Sequence, residues 1–101
     1  MLYTKIQWRT ANREQPQIIF SEFDSFGWEN RRIEYRADGT IAWVSEHMRV
    51  GKNILLSEAN FANAYEGMPY EGTPNAEATF CFITGDEFEA EWSKIVKSDG
   101  E

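Results

Sequence analysis

The sequence has little of what staples or ligates a small protein. One cysteine, Cys81, and one histidine, His47, exclude an internal disulfide and a cysteine-built zinc site. No stretch approaches the roughly 20 apolar residues of a membrane helix, and the N-terminal MLYTKIQWRT lacks the apolar core of a secretory signal. The expected compartment is the cytoplasm, with no membrane partner. Also missing are a Gly-rich phosphate loop, a Walker motif, a nucleophile elbow and an HExxH helix, so no cofactor is implied. Most conspicuously, Lys and Arg are absent from Asn53 to Ser93.

What is present suits a soluble domain. Of 101 residues, 42% are hydrophobic, 15% aromatic and 27% charged, enough apolar material for one core, and a single domain spanning residues 1–101 is expected. The formal charge of −7 is unevenly divided. Residues 1–52 hold seven acids and eight bases, whereas residues 53–101 hold ten acids and two bases, Lys94 and Lys97. Such a bias repels phosphate backbones and steers toward cations or a basic protein, unless it serves only solubility.

Short β-branched and aromatic runs alternating with turn signals mark the first half as strands. Leu2, Thr4, Ile6 and Trp8 alternate with Tyr3, Lys5, Gln7 and Arg9. After a polar connection ending at Pro16, Gln17–Asp24 forms a second strand, whose inward set is undecided because Ile18, Ile19 and Phe20 are all apolar. Ser25–Gly27 turns the chain into a third strand, Trp28–Ala37. Asp38-Gly39 then predicts a two-residue hairpin turn, since both residues tolerate positive φ. Pairing Ala37 with Thr40 would set Ile33 against Val44, Tyr35 against Ala42 and Arg31 against Glu46 on the core face. Glu34 would face Trp43, and Arg36 would face Ile41, on the other.

Gly51 interrupts this pattern. Ser57 could cap a turn of helix through Tyr65, and Gly67–Asn75 is dense in Gly and Pro and therefore irregular. Ala78–Ile83 reads as a last strand. Thr84-Gly-Asp-Glu87 is a capping box, and Phe88, Trp92, Ile95 and Val96 recur at helical spacing, predicting a C-terminal helix of about three turns. The fold expected is α+β, an antiparallel sheet of about five strands packed by that helix. Its core should hold Ile6, Trp8, Ile33, Tyr35, Val44, Phe80, Phe82, Phe88, Trp92 and Ile95.

Catalytic readings are weak. A histidine at a strand end is usually inert, and a thiol in an apolar strand behaves as a small hydrophobe. Asp86, Glu87, Glu89 and Glu91 crowd a helix start where the dipole already favours acid, and their offsets spread them around the helix rather than onto one metal ion. Arg31 should lie on the face opposite Arg32 and Arg36, with Glu29 and Glu34 interleaved, which argues against nucleic acid as a partner. The middle segment is more suggestive. Tyr65 and Tyr70 sit among Glu66, Glu71 and nearby Glu58 and Glu77, the composition of an aromatic anchor inside an acidic rim. The alternative is that one or both tyrosines cover the core.

Several motifs taken together resemble a small bacterial domain family of unknown function. They are Ile6-Gln-Trp8, Ile19-Phe-Ser-Glu-Phe-Asp24, Trp28-Glu-Asn-Arg-Arg-Ile-Glu34, Asp38-Gly39 and Ile83-Thr-Gly-Asp-Glu-Phe-Glu-Ala-Glu-Trp92. The likeness covers about the first 46 and the last 20 residues, and departs at Asn53–Asn75, where the family carries a proline-rich segment. Such domains are similar to immunity proteins of polymorphic toxin and contact-dependent growth inhibition systems. The family brings no established activity, and no enzyme activity is expected from the residues; the likeness to immunity proteins implies a protein that binds a cognate toxin domain, here a basic nuclease, and covers its substrate-binding surface, with a monomer favoured over an oligomer. Glu58, Tyr65, Glu66, Tyr70, Glu71 and Glu77 are the partner-binding residues expected. Two other classes remain open: a regulatory or accessory module that binds another protein or a small ligand oriented by His47 and Arg49, and a hydrolase pairing His47 with Cys81.

Overall fold

A computed structural model describes residues 1–8, 16–46, 48–50, 56 and 78–100. Within them the chain forms β1 (Leu2–Trp8), β2 (Pro16–Phe23), β3 (Glu29–Arg36), β4 (Ile41–Ser45), β5 (Arg49–Val50), β6 (Ala78–Phe82) and α1 (Gly85–Gly100). The strands make one antiparallel sheet in the order β5-β4-β3-β2-β1-β6. The fold is α+β, with six strands rather than five. The added strand is the two-residue β5, which pairs Val50 with Trp43.

Side-chain alternation sends each strand's residues to two faces. Phe20, Ile33 and Trp43 pack with Phe88 and Ile95 of α1, joined by the partly buried Tyr3, Ile18, Tyr35, Val50 and Trp92. The opposite face is buried as well: Ile6 packs with Phe80, and Ala42 and Val44 pack with Leu56. Burial on both faces explains why Ile18-Ile19-Phe20 gave no clear inward set. Ile18 and Phe20 face α1, whereas Ile19 packs on the other side against Ile6 and Phe80. Phe23 of the same strand is fully enclosed.

The β3–β4 hairpin differs from expectation by one residue. Arg36 N donates to Thr40 O at 2.9 Å and Gly39 N to Arg36 O at 3.0 Å, so Ala37, Asp38 and Gly39 form a three-residue loop. Gly39 alone is the glycine of this turn at positive φ, +90°, the arrangement of a turn followed by a glycine bulge. Asp38 accepts hydrogen bonds from the amide and hydroxyl of Thr40 at 2.9 and 2.6 Å, which holds the extra residue in place. Ile33 therefore pairs with Trp43, Tyr35 with Ile41 and Arg31 with Ser45. Trp43 takes the place beside α1 expected of Val44.

Most of the expected core is buried or partly so, with Trp8, Tyr35 and Trp92 only half-buried, and Phe82 is the exception. It ends the edge strand β6 and remains 38% exposed, stacking edge-on against Phe80. At α1 the capping box forms: Glu87 N donates to Thr84 Oγ1 at 3.1 Å and Thr84 N to Glu87 Oε1 at 3.3 Å. At 16 residues the helix exceeds four turns, longer than its apolar stripe alone suggested.

Candidate functional site

Two charged networks organise the sheet, one on each face. On the α1 side, β-strand register sets Glu22 opposite Arg31. Arg31 Nε and Nη2 donate to the two Glu22 oxygens at 2.7 and 2.6 Å, and the same guanidinium pairs with Glu89 of α1. Phe88 and Trp92 lie nearly parallel at 6.3 Å, and the Arg31 guanidinium carbon sits 4.8 and 5.1 Å from their centroids. A planar cation that both forks a carboxylate and rests on rings is the particular capacity of arginine. Tyr35 Oη, four residues further along β3, donates to Glu91 Oε2 of α1 at 2.5 Å.

These partners fix the protonation states. The Arg31 hydrogen bonds hold the Glu22 carboxyl below the usual carboxylate range despite its burial. Arg31 itself is held protonated even more firmly by Glu22 and Glu89. Burial first, and then Glu91, push the Tyr35 phenol above its ordinary value; burial and Glu22 do the same to Tyr3. None of the four is poised to trade a proton near neutral pH. The arrangement clamps helix to sheet rather than preparing a reaction.

On the opposite face, Arg32 Nε meets buried Glu29 at 3.1 Å, Arg32 Nη1 meets buried Glu34 at 3.2 Å, and Arg36 Nη2 reaches Glu34 at 3.1 Å. Thr4 and Ser21 lie fully buried on this face. The division expected from alternation therefore holds: Arg31 is on one face, Arg32 and Arg36 on the other. All three arginines are matched by glutamates at hydrogen-bonding distance. Their charge is balanced within the fold rather than presented to a phosphate.

The partner-binding residues expected from sequence, Glu58, Tyr65, Glu66, Tyr70, Glu71 and Glu77, lie outside the described residues, as does His47. Cys81 is half-buried in β6 and pairs with Lys5 of β1, and Arg49 is exposed in β5. Among the described residues no cluster of His, Cys, Asp or Glu could hold a metal ion, and no helix is long and apolar enough to cross a membrane.

Two exposed features do stand together at one end of the sheet. Asp86, Glu87 and Glu89 are solvent-facing in the first turns of α1. At the same end the β2–β3 connection exposes Phe26 and Trp28. Sequence reading passed over this pair, because aromatics beside Ser25 and Gly27 were assigned to a turn and its following strand.

A family model described as a domain of unknown function, DUF6881, matches residues 2–97. No curated protein and no solved structure matches the chain.

Proposed function

The chain belongs to the DUF6881 family of unknown function, and from that premise we propose that it is an immunity protein. It binds a cognate bacterial toxin domain with a basic substrate-binding surface, most naturally a nuclease, and neutralises it by occupying that surface. The supporting observation is where the charge is and is not available. The clustered arginines are balanced internally by Glu22, Glu29, Glu34 and Glu89, while Asp86 and Glu87 at the start of α1 face solvent. The acidic excess of residues 53–101 acts in the same sense. Carboxylates presented where a nuclease expects phosphates speed encounter and block access without any chemistry from the inhibitor.

The proposal predicts a large secreted-toxin gene directly upstream of this one, and co-expression with the toxin domain that gene encodes tests it. Growth should be restored and the two proteins should purify together. Continued growth arrest, with both proteins soluble, would refute it.

A further inference from the structure

The most exposed aromatic side chain on the described surface is Phe26, with 80% of its area in solvent, followed by Trp28 at 47%. The turn that carries them is tightly held. Asp24 Oδ1 accepts from the amides of Phe26 and Trp28 at 2.9 and 3.0 Å. Asp24 N donates to Trp28 O at 2.9 Å and Gly27 N to Asp24 O at 3.0 Å. Gly27 makes the reversal at φ +90°, a conformation that strains other residues. Four hydrogen bonds thus fix the backbone beneath two aromatics, Phe26 left largely in water and Trp28 about half so.

A neighbouring turn adds to the same end. Ser45 N donates to Met48 O at 2.7 Å, and Met48 is 43% exposed. Arg31 pairs with Ser45, so the start of β3 adjoins the end of β4, and the turns bearing Trp28 and Met48 are neighbours. The chain also enters α1 at this end, since Ile83 N bonds Tyr3 O at 3.0 Å. The apolar centre is therefore bordered by the exposed acids Glu46, Asp86 and Glu87, against the exposed base Arg49.

We propose that this end of the sheet is a docking surface, with Phe26 and Trp28 as its anchors and the basic toxin domain as its occupant. The assignment rests on the function proposed above. An apolar centre with a polar rim is the anatomy of a specific protein interface, and the excess of acid in this rim, Glu46, Asp86 and Glu87 against Arg49, favours a partner with basic groups around an apolar recess. Aromatic side chains on an already ordered turn lose little conformational freedom on binding. The acids thus govern encounter, and Phe26 and Trp28 govern how long the complex lasts.

The test uses the full chain and the toxin domain of the upstream gene that the proposed function predicts, with affinity and both rate constants measured for wild type, Phe26→Ser, Trp28→Ser and Asp86→Asn. Ile41→Ser, altering an exposed residue at the opposite end of the sheet, serves as control. Thermal melts establish that each variant is folded. Phe26→Ser and Trp28→Ser should each weaken binding by about 30-fold, chiefly through faster dissociation, as loss of a buried aromatic anchor does. Asp86→Asn should slow association less than about tenfold, and Ile41→Ser should match wild type. A wild-type complex that both anchor variants form equally tightly overturns the docking surface and leaves the immunity reading intact. Absence of a wild-type complex overturns both. Self-association of the wild-type chain that Phe26→Ser abolishes assigns the surface to a second copy and overturns the proposal.

Discussion

Arg31 links β2, β3 and α1 through Glu22, Glu89 and the rings of Phe88 and Trp92. Arg31→Ala would strand the nearly buried Glu22 charge and remove the cation from between sheet and helix. The expected loss is about 3 to 5 kcal/mol by denaturant unfolding, because an uncompensated buried carboxylate is the larger part of the cost. Arg31→Lys should recover only part of it, since an ammonium cannot fork both oxygens of Glu22. The same pair sets the acid response. The Glu22 carboxyl is depressed in the folded chain, so its stabilisation is fully present above the pKa of an unfolded glutamate, about 4.3. That stabilisation is lost as pH falls below it, through the folded value. Unfolding free energy should therefore drop from pH 5 to pH 3 more steeply in wild type than in Glu22→Gln; equal slopes would assign the acid sensitivity elsewhere. The position of Arg31 was legible from alternation alone. Its stacking was not, because Phe88 and Trp92 meet it only once α1 has docked.

At the scale of elements, turns and caps carried most of the legible information and also produced the one register error. Thr84 and Glu87 were readable as a capping box because the motif is local in sequence. Thr84→Ala should destabilise by about 1 kcal/mol through the lost cap, measurable as a shifted thermal or urea midpoint. Asp38-Gly39 was equally visible, yet two neighbouring hairpin solutions share that dipeptide. Asp38 favours the longer one here by bonding the amide and hydroxyl of Thr40, leaving positive φ to Gly39. Gly39→Ala isolates that backbone demand, since a Cβ there would meet no atom within 4 Å. A loss of about 1 kcal/mol is expected from conformational strain alone; an unchanged midpoint would contradict the left-handed assignment. The one-residue slip exchanged Trp43 and Val44 between faces. Both faces are buried, so hydrophobicity could not reject the wrong register.

For the whole molecule, the α+β class was legible because strand-like alternation fills the first half and helical spacing closes the second. The second buried sheet face was not, since nothing local distinguishes a strand covered on both sides from a short apolar run. What the sequence offers toward a site is charge: residues 53–101 hold ten acids and two bases, a fact independent of any fold, while Glu58, Glu66, Glu71 and Glu77 lie outside the described residues. The aromatic anchors were sought in Tyr65 and Tyr70, which lie outside the described residues, whereas Phe26 and Trp28 needed a structure to reveal their exposure. Charge asymmetry and an aromatic surface with a net-acidic rim are the support for the proposal that the chain recognises a basic protein electrostatically. The most direct test is the association rate of the purified chain with the toxin domain of the predicted upstream gene, measured across increasing salt. The account predicts a rate that falls by about tenfold or more from low to high salt while dissociation changes little, because screening removes long-range steering but not packed contacts. An association rate indifferent to salt, or no association at any salt, would contradict it.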